Sequence, residues 1–400
     1  MRFNSTGGAA TAWTYQPALA NGLQLTVVLG PTALYVTAAR NVMFAVDKAT
    51  GAELWTTVFS GWDNVSTGVL VDGPTRAFLA PGTRLLAGAT PSGAAPARQL
   101  QASQSRTPTR TPSQTPSHNS RRCVAEARLF HPVLAASTGL IISTTLRCLY
   151  GVNSTTGRVV WYRTTGDIFY GSWGLMSFTT SLALSADEGT FCGGLSSGHI
   201  FCMQSADGSF LWANKITSEQ AKNPPMISNG TVFAHGKALT GAARTLTAFD
   251  LGAGTQRWNS TAFPASPASS ATQSPILLLP AFVSPFVDAV AFSIDLATQV
   301  AVVVLDAARG TLLRTVFVPC APGGSALAAD AINAIFIVVA SSDTFKHHLY
   351  RINASTGSIS YDITLPSDIA SITTPSYLSL VVGNGALLVG DFTSSLFIYY

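Results

Sequence analysis

One phrase recurs along these 400 residues: an apolar run, Asp or Asn, a few small residues, Gly, and shortly afterwards an aromatic. It reads VMFAVDKATGAELW from Val42 to Trp55, CLYGVNSTTGRVVW from Cys148 to Trp161, and IFCMQSADGSFLW from Ile200 to Trp212. It returns as LTAFDLGAGTQRW from Leu246 to Trp258, then weakens in VVVLDAARGTLLR (Val302 to Arg314) and LYRINASTGSISY (Leu349 to Tyr361). Copying at this spacing constrains the architecture, because one such unit cannot bury its apolar faces without neighbours.

Each phrase reads as a β-hairpin. Its first arm, as in Val42-Met43-Phe44-Ala45-Val46, is continuously apolar rather than alternating, which suits a strand covered on both faces. Asp47, or Asn153 and Asn353 in its place, accepts backbone N–H bonds at the turn, and Gly51 supplies the positive φ of the reversal. A helical array is excluded by Gly and Asp inside every period and by the lack of i, i+3, i+4 apolar spacing. The turn positions 153, 207, 250, 306 and 353 stand 43 to 56 residues apart, the length of a four-stranded propeller blade.

A second hairpin precedes each phrase. Its turns are Gly30-Pro31, Ser137-Thr138-Gly139, Ala186 to Gly189, Ser228-Asn229-Gly230, a less distinct one near Ser284-Pro285, Asp330 to Asn333, and Gly383-Asn384-Gly385. Asp72-Gly73-Pro74 marks a further, degenerate unit. The expected fold is therefore all-β: a single propeller over residues 1–400, of four-stranded antiparallel blades, eight with the degenerate unit and seven without it, eight being the favoured count. Trp13 in TAWTY reads as the last strand of a blade, and the tail Ser394 to Tyr400 as a third strand lacking a fourth, so the N-terminal strand is expected to join the C-terminal blade and close the ring.

The chain is 47% hydrophobic and 10% charged, well under the roughly 25% charge of ordinary soluble domains. No segment supports a membrane-spanning helix: the run from Pro275 to Pro280 is short and bracketed by prolines, and Ala331 to Ala340 falls far below the ~20 residues a span needs. Packed sheets account for the apolar content instead. A net charge of +4, mostly scattered, excludes a nucleic-acid footprint. The six histidines form no ligand cluster, and the adjacent His347 and His348 would point to opposite faces of a strand, as a surface pair. Residues 89–122, rich in Pro, Ser, Thr and Gln, read as a disordered loop inserted in the second blade.

Sequons stand at Asn4, Asn64, Asn153, Asn229, Asn259 and Asn353, three of them in expected turns and all candidate N-glycosylation sites. Cys192 and Cys202 flank the turn Ser196-Ser197-Gly198 nearly symmetrically, which suits a cross-strand disulfide as well as it suits two buried thiols. MRFNSTGGAATAW contains no apolar core of a signal peptide. The expectation is an extracellular or luminal protein, with a cytoplasmic location as the alternative.

The stretch from Ala45 through Asp47, Thr50 and Gly51 to Trp55, and its copy from Gly151 to Trp161, resemble the repeat of pyrroloquinoline-quinone-type β-propellers. That resemblance implies one of two behaviours. Quinoprotein alcohol dehydrogenases hold their cofactor on the ring axis with calcium, a carboxylate base and often a disulfide between adjacent cysteines. Other members, such as the bacterial outer-membrane assembly lipoprotein, bind proteins and carry no quinone. This sequence has no adjacent cysteine pair, and several acids, Asp47, Asp207, Asp250 and Asp306 among them, are committed to turns. The expectation is a non-catalytic scaffold without a cofactor, binding a protein or glycan partner, with a quinone-dependent alcohol or sugar dehydrogenase as the alternative. Turns between second and third strands and connections between blades open on one face, giving Trp62, Asp63, Tyr170, Trp173, His199 and His235 as candidate partner-binding residues.

Overall fold

A computed structural model describes residues 26–38, 42–59, 132–168, 176–217, 220–221, 223–237, 244–261, 276–284, 287–296, 298–319, 325–329, 334–340, 347–364, 379–383, 386–390 and 396–399. These residues form seven antiparallel sheets, six of four strands and one of three, each with its strands in sequence order. Sheet 1 holds β1 (Thr26–Leu29), β2 (Ala33–Ala38), β3 (Val42–Asp47) and β4 (Glu53–Val58). Sheet 2 holds β5 (Val133–Ala135), β6 (Leu140–Thr144), β7 (Cys148–Asn153) and β8 (Val159–Thr164), and one helical turn, α1 (Thr165–Ile168), follows it. Sheet 3 holds β9 (Ala183–Leu184), β10 (Thr190–Gly194), β11 (His199–Gln204) and β12 (Phe210–Lys215). Sheet 4 holds β13 (Met226–Ser228), β14 (Thr231–Lys237), β15 (Arg244–Asp250) and β16 (Gln256–Ser260). Sheet 5 holds β17 (Leu277–Ser284), β18 (Val287–Asp295), β19 (Gln299–Asp306) and β20 (Leu312–Pro319). Sheet 6 holds β21 (Ser325–Ala329), β22 (Ala334–Ala340), β23 (His347–Asn353) and β24 (Ile359–Thr364). Sheet 7 holds β25 (Ser379–Gly383), β26 (Ala386–Gly390) and β27 (Leu396–Tyr399).

Consecutive sheets pack face to face, and each interface from sheet 1 to sheet 6 has its own apolar layer. Met43, Trp55 and Phe59 meet Ile141, Tyr150 and Val152 between sheets 1 and 2. Leu149 and Trp161 meet Phe191, Phe201 and Met203 between sheets 2 and 3. The next layers join Ile200, Cys202 and Trp212 to Val232 and Phe249, then Phe233 and Leu246 to Phe292 and Val303, then Val302 and Val304 to Ile335 and Ile337. Neighbouring first strands touch one another, β1 with β5, β5 with β9, β9 with β13, β17 with β21 and β21 with β25. This contact series puts the first strands innermost and the fourth strands outermost.

The repeated phrase builds the hairpin between third and fourth strands. Asp47 Oδ1 accepts the N–H groups of Ala49 and Thr50 at 3.0 and 2.7 Å, and Asn153, Asp250, Asp306 and Asn353 hold their turns the same way. Sheet 3 departs from the pattern: Gln204 occupies the Asp position, while Asp207, the expected turn acid, sits three residues on and accepts the Ser209 N–H. A β-bulge follows in every four-stranded sheet. The residue before the aromatic position (Leu54, Val160, Leu211, Arg257, Leu313 or Ser360) is skipped in the ladder. A bulge adds twist and re-aims the next side chain, here out of its own sheet.

That side chain docks on the following sheet. Trp55 Nε1 donates to the Ser154 carbonyl at 2.9 Å, Trp161 to Ser205 at 3.1 Å, Trp212 to Leu251 at 2.7 Å and Trp258 to Ala307 at 3.1 Å. The turn glycine of the receiving sheet lies flat beneath the indole. A Cβ on Gly157, Gly208, Gly254 or Gly310 would come within 2.5–2.7 Å of that ring. These glycines also have φ between +66° and +70°, so both the dihedral and the packing demand glycine. Arg314 replaces the indole between sheets 5 and 6, with Nη1 donating to the Thr356 carbonyl at 2.6 Å.

Residues 60–131 separate sheets 1 and 2 in sequence, yet the two sheets are in direct contact through Trp55 and through the Thr57 hydroxyl, which donates to the Gly157 carbonyl at 2.6 Å. Among the described residues no strand lies between these two sheets. The degenerate unit at Asp72-Gly73-Pro74, the segment 89–122 and the Trp13 strand all lie outside the described residues. His235-Gly236-Lys237, expected as a turn, is instead the end of β14, paired with Leu246, Thr245 and Arg244. The ladder continues because glycine in a strand weakens pairing without ending it.

Candidate interaction face

The turns from second to third strands and the connections between sheets share one end of the sheet stack. Around sheets 2 and 3 this end is a continuous hydrogen-bonded layer. The connection entering sheet 3 runs between two turns: Phe178 N–H donates to the Leu146 carbonyl at 2.7 Å, and Thr179 N–H to that of Gly194 at 2.9 Å. Ser196 N–H donates to the Ser177 carbonyl at 2.8 Å. The connection leaving sheet 3 is tied down by Ile216 N–H on Gly198 and by Ala221 N–H on Leu195. The Thr179 hydroxyl donates back to the Ala221 carbonyl at 2.6 Å. Loops fixed to this degree form a rigid platform, and ordering them on binding costs little further entropy.

Of the sequence-derived candidates at this end, Trp62, Asp63, Tyr170 and Trp173 lie outside the described residues. His199 and His235 are both buried, so neither offers its ring to a partner at the surface. His199 Nδ1 lies 2.9 Å from the Ser197 hydroxyl inside its own hairpin, and burial and then the Lys215 charge hold its pKa below the ordinary value. His235 packs edge-on against Phe292, ring centroids 4.7 Å apart, between sheets 4 and 5. Sequence reasoning placed both on exposed turns because His beside Gly reads as a loop; the strands run on far enough to cover them.

His347, expected at the surface, is only 1% exposed, and neither ring nitrogen finds a hydrogen-bond partner among the described residues. Burial, then the neighbouring His348, lowers its pKa from 6.5. The folded state therefore binds fewer protons than the unfolded chain, and stability falls as pH drops through the ordinary imidazole value. Urea midpoints measured on either side of that pH are expected to decline on the acid side. His347→Gln should flatten part of the slope and leave the His199 share; a slope identical in the variant would mean that the ring stays solvated.

The described cysteines are oxidised. Cys192 and Cys202, directly opposed in the β10–β11 ladder, form a disulfide with both side chains fully buried. Cys148 is also disulfide-bonded, which the spacing of the cysteines did not indicate. Among the sequons, Asn153 and Asn353 occupy turns between third and fourth strands, Asn229 a turn between first and second strands, and Asn259 lies on β16. Asn4 and Asn64 lie outside the described residues.

The family profile that matches, described as outer membrane protein assembly factor BamB, aligns with residues 147–334. In structure the chain is similar to BamB from Moraxella catarrhalis, with a TM-score of 0.54 at 13% identity, covering 94% of this chain and 83% of that one. It is similar also to quinohemoprotein alcohol dehydrogenase from Comamonas testosteroni, with a TM-score of 0.57 at 10% identity. The fold is thus similar to that of β-propellers built from pyrroloquinoline-quinone-like repeats. No curated protein matches the propeller in sequence. The dehydrogenase alignment takes in 95% of the propeller but 65% of the enzyme, so the propeller spans less than two thirds of its length.

The described residues contain no group of three or more His, Cys, Asp or Glu side chains placed to hold a metal ion. The Cys192–Cys202 disulfide joins residues ten apart, not neighbours. Two of the turn acids are poor bases: Thr50 N–H and hydroxyl hold the Asp47 carboxyl below the usual range, and Arg257 does so for Asp250. A base that gives up its proton too readily takes one weakly from an alcohol.

Proposed function

We propose that this propeller is a non-catalytic interaction scaffold, presenting the face of its second-to-third-strand turns and inter-sheet connections to a protein or glycan partner. The observation that carries the reading is the hydrogen-bonded platform around sheets 2 and 3, while the turn acids at the opposite end of the sheets are already used by the fold. The likeness to an assembly factor supports the same reading. We infer a ring of seven blades, since sheets 1 and 2 leave no room for another between them. The ring is closed by the Trp13 segment serving as the fourth strand of sheet 7. Buried disulfides support an extracellular or luminal location, where thiols stay oxidised.

The alternative, a quinone-dependent alcohol or sugar dehydrogenase, draws on the likeness to the Comamonas enzyme. Reconstitution with pyrroloquinoline quinone and calcium separates the two. Dye reduction with alcohols or sugars is expected to remain at background, and saturable quinone uptake with turnover would overturn the scaffold reading. Capture of a defined protein or glycan, lost when charged residues replace Ser177 and Ser197 on the platform, would establish the face.

A further inference from the structure

We infer that Asn259 and Asn353 carry N-linked glycans while Asn153 and Asn229 remain bare; this rests on the luminal or extracellular location proposed above. In the transfer, the Asn Nδ2 attacks the first sugar of an oligosaccharide linked to a polyprenyl diphosphate. A C–N bond forms, the sugar's C–O bond to the diphosphate breaks, the amide loses a proton and the lipid diphosphate departs. Every sequon satisfies the sequence rule equally, so the surroundings of Nδ2 in the finished fold decide which glycosylated chains fold well.

Asn229 is exposed, but its amide nitrogen is already engaged. It sits at φ 46° ahead of Gly230 at φ 66°, and its Nδ2 donates to Asp288 Oδ2 on sheet 5 at 2.7 Å. A sugar on that nitrogen would break this hydrogen bond between sheets 4 and 5. Asn153 is half-buried, and the next residue, Ser154, has its carbonyl fixed under the rigid Trp55 indole.

Asn353 occupies the equivalent turn on sheet 6 but is exposed. Its Oδ1 accepts from Ser355 N–H, Thr356 N–H and the Ser355 hydroxyl, which leaves Nδ2 outside the turn's bonds. The side chain docking beside it is the flexible Arg314, which can swing aside as an indole cannot. Asn259 is exposed on β16, an outermost strand, where only its Oδ1 is engaged, by the Thr247 hydroxyl at 3.2 Å.

The test is secretion of the chain behind a cleavable leader from a eukaryotic host, with Asn4 and Asn64 changed to Gln. Electrophoresis before and after amidase removal of the glycans is expected to show mobility steps that vanish with Asn259→Gln and with Asn353→Gln. Asn153→Gln and Asn229→Gln should remove none. Glycopeptide mass spectrometry on the unaltered chain gives the same readout should the multiple variant secrete poorly. Occupied Asn153 or Asn229 in folded protein, or bare Asn259 and Asn353, overturns the assignment. Because the host imposes the compartment, that result is independent of location: protein from the native source without any sugar would defeat the location and leave the ranking of sites to stand or fall in the host.

Discussion

Trp161→Ala is expected to cost about 3–5 kcal/mol of folding stability, in the range for removing a large buried aromatic. Trp161 is 7% exposed and lies between Gly151 of its own sheet and Gly208 of the next, near-parallel to the Phe191 ring at 6.1 Å. Both glycines lack a Cβ that could move into the vacated space, so the cavity collapses poorly. The indole also supplies the Ser205 carbonyl with its hydrogen bond. Trp161→Phe retains most of the filling and loses the N–H, and should cost less, about 1–3 kcal/mol where the carbonyl stays buried. Urea titration followed by far-UV dichroism measures both. Equal losses for the two variants would show that the N–H, not the packing, holds the sheets together.

Deleting residues 1–20 is expected to do more damage still. Sheet 7 has three strands among the described residues, and its outermost, β27, then has an unpaired edge. An apolar, uncovered edge strand templates association with other chains. The shortened protein should therefore lose its cooperative thermal transition and sediment as oligomers, whereas Trp13→Ala alone should lower the unfolding midpoint by an amount similar to Trp161→Ala. A shortened protein that stayed monomeric with an unchanged midpoint would remove the N-terminal strand from the ring.

The hairpin register was legible in the sequence because Asp, Gly and Trp each answer a local demand: bonding a turn, adopting positive φ, and filling a gap. All seven turns between first and second strands fall between the strands expected on either side, though several turn residues themselves lie outside the described set. The bulge before each aromatic was not legible, since no residue type marks it; Leu54, Val160, Arg257 and Ser360 share no chemistry. Gln204 escaped notice because Asp207 offered a better turn acid three residues later. The candidate site fared less well. His199, His235 and His347 were read by polarity, but their burial depends on how far neighbouring strands extend, which is a property of the whole stack.

Sheets 1 and 2 recognise each other across residues 60–131 as firmly as other neighbours do across short links. Adjacency in this protein is thus encoded in an indole and a glycine, not in the length of the tether. The entropic penalty of a longer tether rises only logarithmically. A protein engineer is therefore free to lengthen the chain at that junction at little cost to the pairing of the two sheets.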